Sequence, residues 1–129
     1  MADKGQYDGP DLYHYTSEEG AKGILKDKVI RSTKTTKQNL DNDMLLGPGV
    51  YATSMGPSHS KEEILRNNYP QSLQSQVARE GKADYYFKSS KETIQREMDN
   101  GTRVFQSETP GREKIFVLQD PKDIKKEKN

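Results

Sequence analysis

The chain has 129 residues, of which 29% are hydrophobic and 32% charged, with 21 basic against 20 acidic side chains. That length fits one domain with a lean core; the near-cancelling charge gives no global pull towards nucleic acid or an anionic membrane, and seven Tyr with three Phe supply packing material that disordered chains lack. The absence of cysteine excludes disulfides, thiolate metal sites and cysteine nucleophiles, and two histidines, His14 and His59, are too few for a histidine-rich metal centre, so no metal is expected.

Residues 1–10, MADKGQYDGP, carry Gly, Pro and charges without a signal-peptide core, and read as a flexible leader to a single domain over 11–120. No apolar run approaches the roughly twenty residues of a membrane span. A cytosolic protein without membrane contact is expected. DLYHYT, Asp11 to Thr16, is strand-forming by composition, and its period of two puts Leu12, His14 and Thr16 on one face and Tyr13 and Tyr15 on the other. Thr16 or Ser17 can cap the helix that follows, and Thr16 with Glu19 has the capping-box spacing. In SEEGAKGILKDK, Ala21, Ile24, Leu25 and Lys28 share one side of a short amphipathic helix. His14 therefore sits at a strand end just before a helix N-terminus, where α/β and α+β folds place ligand contacts. Taken alone, it reads equally as a hydrogen-bonded structural imidazole.

Val29–Thr33 is a second strand candidate, and the polar, Asn-rich stretch after it reads as a loop ending in the apolar anchor Met44–Leu46. Next comes GPGVYATS, Gly47 to Ser54: two glycines around Pro48, then Val50 and Tyr51, then small residues only. Glycine admits a ligand or another backbone, and Tyr51 offers a flat platform. By itself the octapeptide reads as a turn entering a strand whose Tyr packs in the core. A Gly-Pro turn holds His59, expected to be solvent-exposed, and Ser60 with Glu63 starts a helix that Pro70 stops. QSLQSQVAREGK reads as loop or marginal helix. In the last third, ADYYFKSS is a strand, and KETIQREMDNG is a helix closed by Asn100-Gly101. TRVFQS and REKIFVLQ form a hairpin around Glu108–Gly111, the second run being apolar on both faces as in a central strand. Asp120-Pro121 ends it, and residues 121–129 are a charged, solvated tail.

P-loop, GxGxxG, GxSxG and metal signatures are absent. What remains is a His on the first strand, a Tyr on a Gly-rich strand and a Glu opening the last strand. LYHYTS, GPGVYATS and REKIFVL, in that order, resemble the three-part signature of ADP-ribosyltransferases in the His-Tyr-Glu branch, the diphtheria-toxin and poly(ADP-ribose) polymerase group. The compact toxin-type subgroup with a His-Tyr-Asp/Glu signature is the nearest in pattern. His14 and Thr16 match the first motif, Gly47, Gly49, Val50 and Tyr51 the second, and Glu113 the third. The resemblance implies an α+β fold with a split antiparallel β-sheet core and short flanking helices.

It also implies NAD as co-substrate, without metal. His14 would hydrogen-bond the adenosine-side ribose, and Thr16 would help position the dinucleotide. Tyr51 would stack on nicotinamide, and Glu113 would hold a ribose hydroxyl and stabilise developing positive charge. Tyr15, Gly47, Gly49, Val50 and Ala52 would complete the NAD cleft, with glycine letting the dinucleotide lie close to the backbone. The implied activity is mono-ADP-ribosyl transfer to a macromolecule, protein in preference to nucleic acid, by a monomeric toxin or effector. NAD hydrolysis, or an inactive module binding NAD, ADP-ribose or a protein, are the alternatives. Glu108 is a rival acid, because Gln106-x-Glu108 resembles the Gln/Glu-x-Glu element of the Arg-Ser-Glu branch. Tyr69 is the nearest counterpart of a second stacking aromatic found in polymerase-type members.

Overall fold

In the computed structural model, which describes residues 6–28, 30, 49–69, 71–108, 110 and 113–119, the alternation of LYHYT becomes strand β1 (Leu12–Thr16). Ser17, not Thr16, caps the next helix, its hydroxyl accepting from the Gly20 N–H at 3.2 Å. Helix α1 (Glu18–Asp27) closes where Lys28 turns left-handed at φ 60° and bonds the Ile24 carbonyl. Its buried side is narrower than the pattern predicts: Ala21 is buried, whereas Leu25 is 67% exposed. The strand expected over Val29–Thr33 and the loop after it lie, Ile30 apart, outside the described residues, as do Gly47 and Pro48.

Val50–Thr53 forms β2. The Ser60 capping box is complete, since Ser60 Oγ accepts from the Glu63 N–H while the Glu63 carboxylate accepts from the Ser60 N–H, and it opens α2 (Lys61–Asn68). The marginal stretch after it is a 3-10 turn (Gln71–Leu73) running into α3 (Gln74–Arg79), which buries Val77. Then come β3 (Tyr85–Ser89), α4 (Lys91–Asp99), β4 (Arg103–Gln106) and β5 (Ile115–Gln119).

The strands make one antiparallel sheet in the order β3-β1-β2-β5-β4. β5 is an inner strand, and Ile115 to Leu118 are all buried, as apolar residues on both faces require. Pairing is uneven. β1 aligns with β3 over five pairs, and β5 with β2 and with β4 over four each, but β1 and β2 share the single aligned pair Tyr13–Thr53. The sheet is thus two plates, β3-β1 and β2-β5-β4, joined along a seam.

Each face of the sheet carries its own core. On one, Leu12, Phe116 and Leu118 pack with Ile94 of α4, joined by Val50, Ala52, Met98 and Val104. On the other, Met55, Ile64, Leu65, Val77 and Ala83 form a cluster with Tyr15, Tyr69 and Leu73 against it. Part of the expected leader is docked: Tyr7 packs on the first core, its N–H donates to Gln95 Oε1, and its hydroxyl donates to the Pro10 carbonyl at 2.7 Å.

Candidate functional site

Two of the predicted residues touch at the seam, through the backbone of one of them; by the period of two their side chains leave on opposite faces, His14 on that of Leu12, Val50 and Ala52, and Tyr51 on that of Tyr13 and Thr53. His14 Nδ1 lies 2.8 Å from the Tyr51 carbonyl oxygen, so the imidazole bridges β1 and β2 where aligned pairing has ended. A carbonyl only accepts, so Nδ1 carries the proton and the neutral ring leaves Nε2 as an acceptor. Burial pushes the His14 pKa below its ordinary 6.5, and the hydrogen bond to Tyr51, which works the other way, is the smaller effect. The ring is therefore neutral near pH 7.

Tyr51 is half-buried and aligned with Val117. Two residues on, on the same face of the strand, Thr53 is fully buried, and its Oγ1 accepts from the Met55 N–H at 3.1 Å and from Asn67 Nδ2 at 3.2 Å. This network, which ties the end of α2 to the seam, has no counterpart in the sequence reading, because nothing local pairs positions 53 and 67.

Glu113 is exposed, just ahead of β5. The three carbonyls that lead into that strand are each taken by a donor: Gln106 Nε2 reaches the Glu113 oxygen at 2.7 Å, the Ser54 N–H that of Lys114 at 3.1 Å, and the Ser107 N–H that of Ile115 at 2.9 Å.

The sequence matches the model of the HYD1 signature containing ADP-ribosyltransferases, a toxin-type family, over residues 12–117. The chain belongs to this ADP-ribosyltransferase family. No curated protein and no solved structure matches it significantly. The segment that carries the ADP-ribosyltransferase match begins at the first residue of β1 and ends inside β5. It takes in part or all of each of the five strands and includes His14, Tyr51 and Glu113.

Most of the remaining candidate positions that the structure describes make structural contacts. Gly49 sits at φ 153°, and a Cβ there would lie 2.5 Å from Val117 Cγ2 and 2.9 Å from the Leu118 carbonyl. The neighbouring strand thus requires glycine at this position, whatever else approaches. Thr16 places its hydroxyl where a Cβ on Gly20 would be, 2.1 Å from Oγ1, which accounts for a helix-weakening residue in the first turn of α1. Tyr15 donates its hydroxyl to the Met55 carbonyl at 2.9 Å and packs its ring on Tyr86 at 5.7 Å and Tyr13 at 6.4 Å. Burial first, then Tyr13 and Tyr86, push its phenol up to about 12. Val50 and Ala52 pack under α4, on the face of β2 away from Tyr51. Tyr69 lies against the core beneath α2 and α3. Glu108 is exposed in the hairpin. His59 is half covered rather than open, with Nδ1 3.6 Å from Glu63. Among the described residues, no group of three or more His, Asp and Glu side chains could hold a metal ion, and no helix is long and apolar enough to cross a membrane.

Proposed function

We propose that the protein is an NAD-dependent mono-ADP-ribosyltransferase of the His-Tyr-Glu branch that modifies a macromolecular acceptor, protein in preference to nucleic acid. The observation that carries this reading is the His14 imidazole bridging to the Tyr51 carbonyl within the segment that matches the ADP-ribosyltransferase family. ADP-ribosyltransferases take NAD as co-substrate, and the site offers complementary chemistry for it. His14 Nε2, fixed as an acceptor, takes a hydrogen bond from a hydroxyl of the adenosine-side ribose. Tyr51 gives an aromatic face to nicotinamide, which is cationic until it leaves.

The bond that breaks joins the nicotinamide nitrogen to C1′ of its ribose, and the electron pair leaves with neutral nicotinamide. The sugar passes through an oxocarbenium-like transition state. The carboxylate of Glu113, exposed just ahead of β5, holds a ribose hydroxyl and faces the developing positive charge, an arrangement that lowers the barrier because it is fixed in advance. A nucleophile of the acceptor then bonds C1′ and loses its proton to the same carboxylate or to solvent.

Incubation with NAD labelled in the ADP-ribose portion tests this. Label on a macromolecule supports transfer, free ADP-ribose with nicotinamide supports hydrolysis, and bound but intact NAD supports an inactive module. Glu113→Gln is expected to lower turnover on the order of 100- to 1000-fold, while Glu108→Gln leaves it near wild type. The opposite pattern would move the acid to Glu108, and failure to bind NAD at all would end the reading.

A further inference from the structure

Gln106 is the last residue of β4, aligned with Phe116 of β5. Its side chain does not stay at that level. It runs past the end of the ladder and donates Nε2 to the carbonyl of Glu113 at 2.7 Å, two residues before β5 begins. The next two carbonyls, of Lys114 and Ile115, are held by backbone donors from Ser54 and Ser107. Glu113 is the member of this run farthest from β5, and a side chain makes to its carbonyl the bond that a backbone N–H makes to those of its two neighbours. Gln106 is itself exposed, so core packing does not explain a glutamine there. A buried-network role is excluded by the same observation.

We infer that Gln106 is a positioning residue, which fixes the backbone of Glu113 and so aims its carboxylate at the reacting sugar. The inference rests on the reading that Glu113 is the acid. A carboxylate whose backbone is free to swing spends most of its time away from the geometry it must hold in the transition state, and small misplacements of such a group cost rate rather than substrate binding. Gln106 touches neither NAD nor acceptor in this account, so it acts equally on every acceptor, water included.

Gln106→Met keeps the length of the side chain and removes the donor. The expected result is a fall in kcat of roughly ten- to a hundredfold, equal for nicotinamide release into water and for transfer to a macromolecule. The dissociation constant for NAD stays at the wild-type value, which also reports that the variant is folded. In the Glu113→Gln background, Gln106→Met produces no further loss, because the group it positions is gone. Three results overturn the inference. One is an unchanged kcat in Gln106→Met while Glu113→Gln is inactive. Another is loss of transfer with hydrolysis intact, which would make Gln106 an acceptor contact. The third is a full additional loss in the double variant. Full turnover in Glu113→Gln alone would instead remove the assignment of the acid on which the inference stands.

Discussion

At the scale of single residues, His14 carries a pH signature that separates it from the other ionisable groups. Burial holds its folded-state pKa below the ordinary 6.5 of an open chain, so between those two values the unfolded chain binds a proton that the folded one does not. Stability is then fully present above about pH 6.5 and declines as pH falls through that value towards the folded pKa. Thermal melts between pH 5 and 7.5 should show this decline in the wild type and a flatter profile in His14→Gln. Parallel profiles would show that another group titrates, since carboxylates contribute alike to both proteins. His14 and Tyr51 were legible as candidates because their motifs are local. The reason for Gly49 was not legible, because its steric partner Val117 lies far along the chain and is brought alongside only by β2–β5 pairing. Tyr15, Val50 and Ala52 sit inside motif strings, yet their contacts are with the protein's own core and aromatic cluster.

At the scale of elements, local patterns reached as far as local interactions decide the structure. The α2 box was readable because Ser60 and Glu63 satisfy each other within one turn. At α1 the sequence offers two adjacent hydroxyls, and the choice falls to Ser17 because Thr16 is still in register with Tyr85 of β3. Ser17→Ala should therefore cost about 1 kcal/mol and lower the melting temperature by a few degrees, whereas Glu19→Gln, aimed at the Thr16 box, should leave it unchanged. Equal effects of the two would restore Thr16 as the cap. The six residues of α3 have no side-chain cap and bury Val77 alone, which leaves too little periodicity to distinguish helix from loop.

At the scale of the molecule, the α+β class and the split antiparallel sheet were legible from the resemblance of three motifs, but the strand order and the division of the core were not, because both depend on pairings between distant segments. A modest hydrophobic content is spread over two faces, so each cluster hangs on few side chains. Ile94 is completely buried between α4 and the sheet, and Ile94→Ala should cost about 2 to 5 kcal/mol. That is a large part of the roughly 5 to 15 kcal/mol that holds a domain of this kind together; a chemical denaturation midpoint close to wild type would show that the first core is not the one that sustains the fold. The seam has a mechanical counterpart. Prising β1 from β3 means undoing five aligned pairs, whereas among the described residues the plates are joined by the Tyr13–Thr53 pair, the His14 and Tyr15 side-chain bonds to Tyr51 and Met55, and the packing of Leu12 on Phe116 and Leu118. The His14 bond lies on the line where aligned pairing is thinnest, so acid, which protonates the imidazole, and a wedging force act on the same line of the sheet.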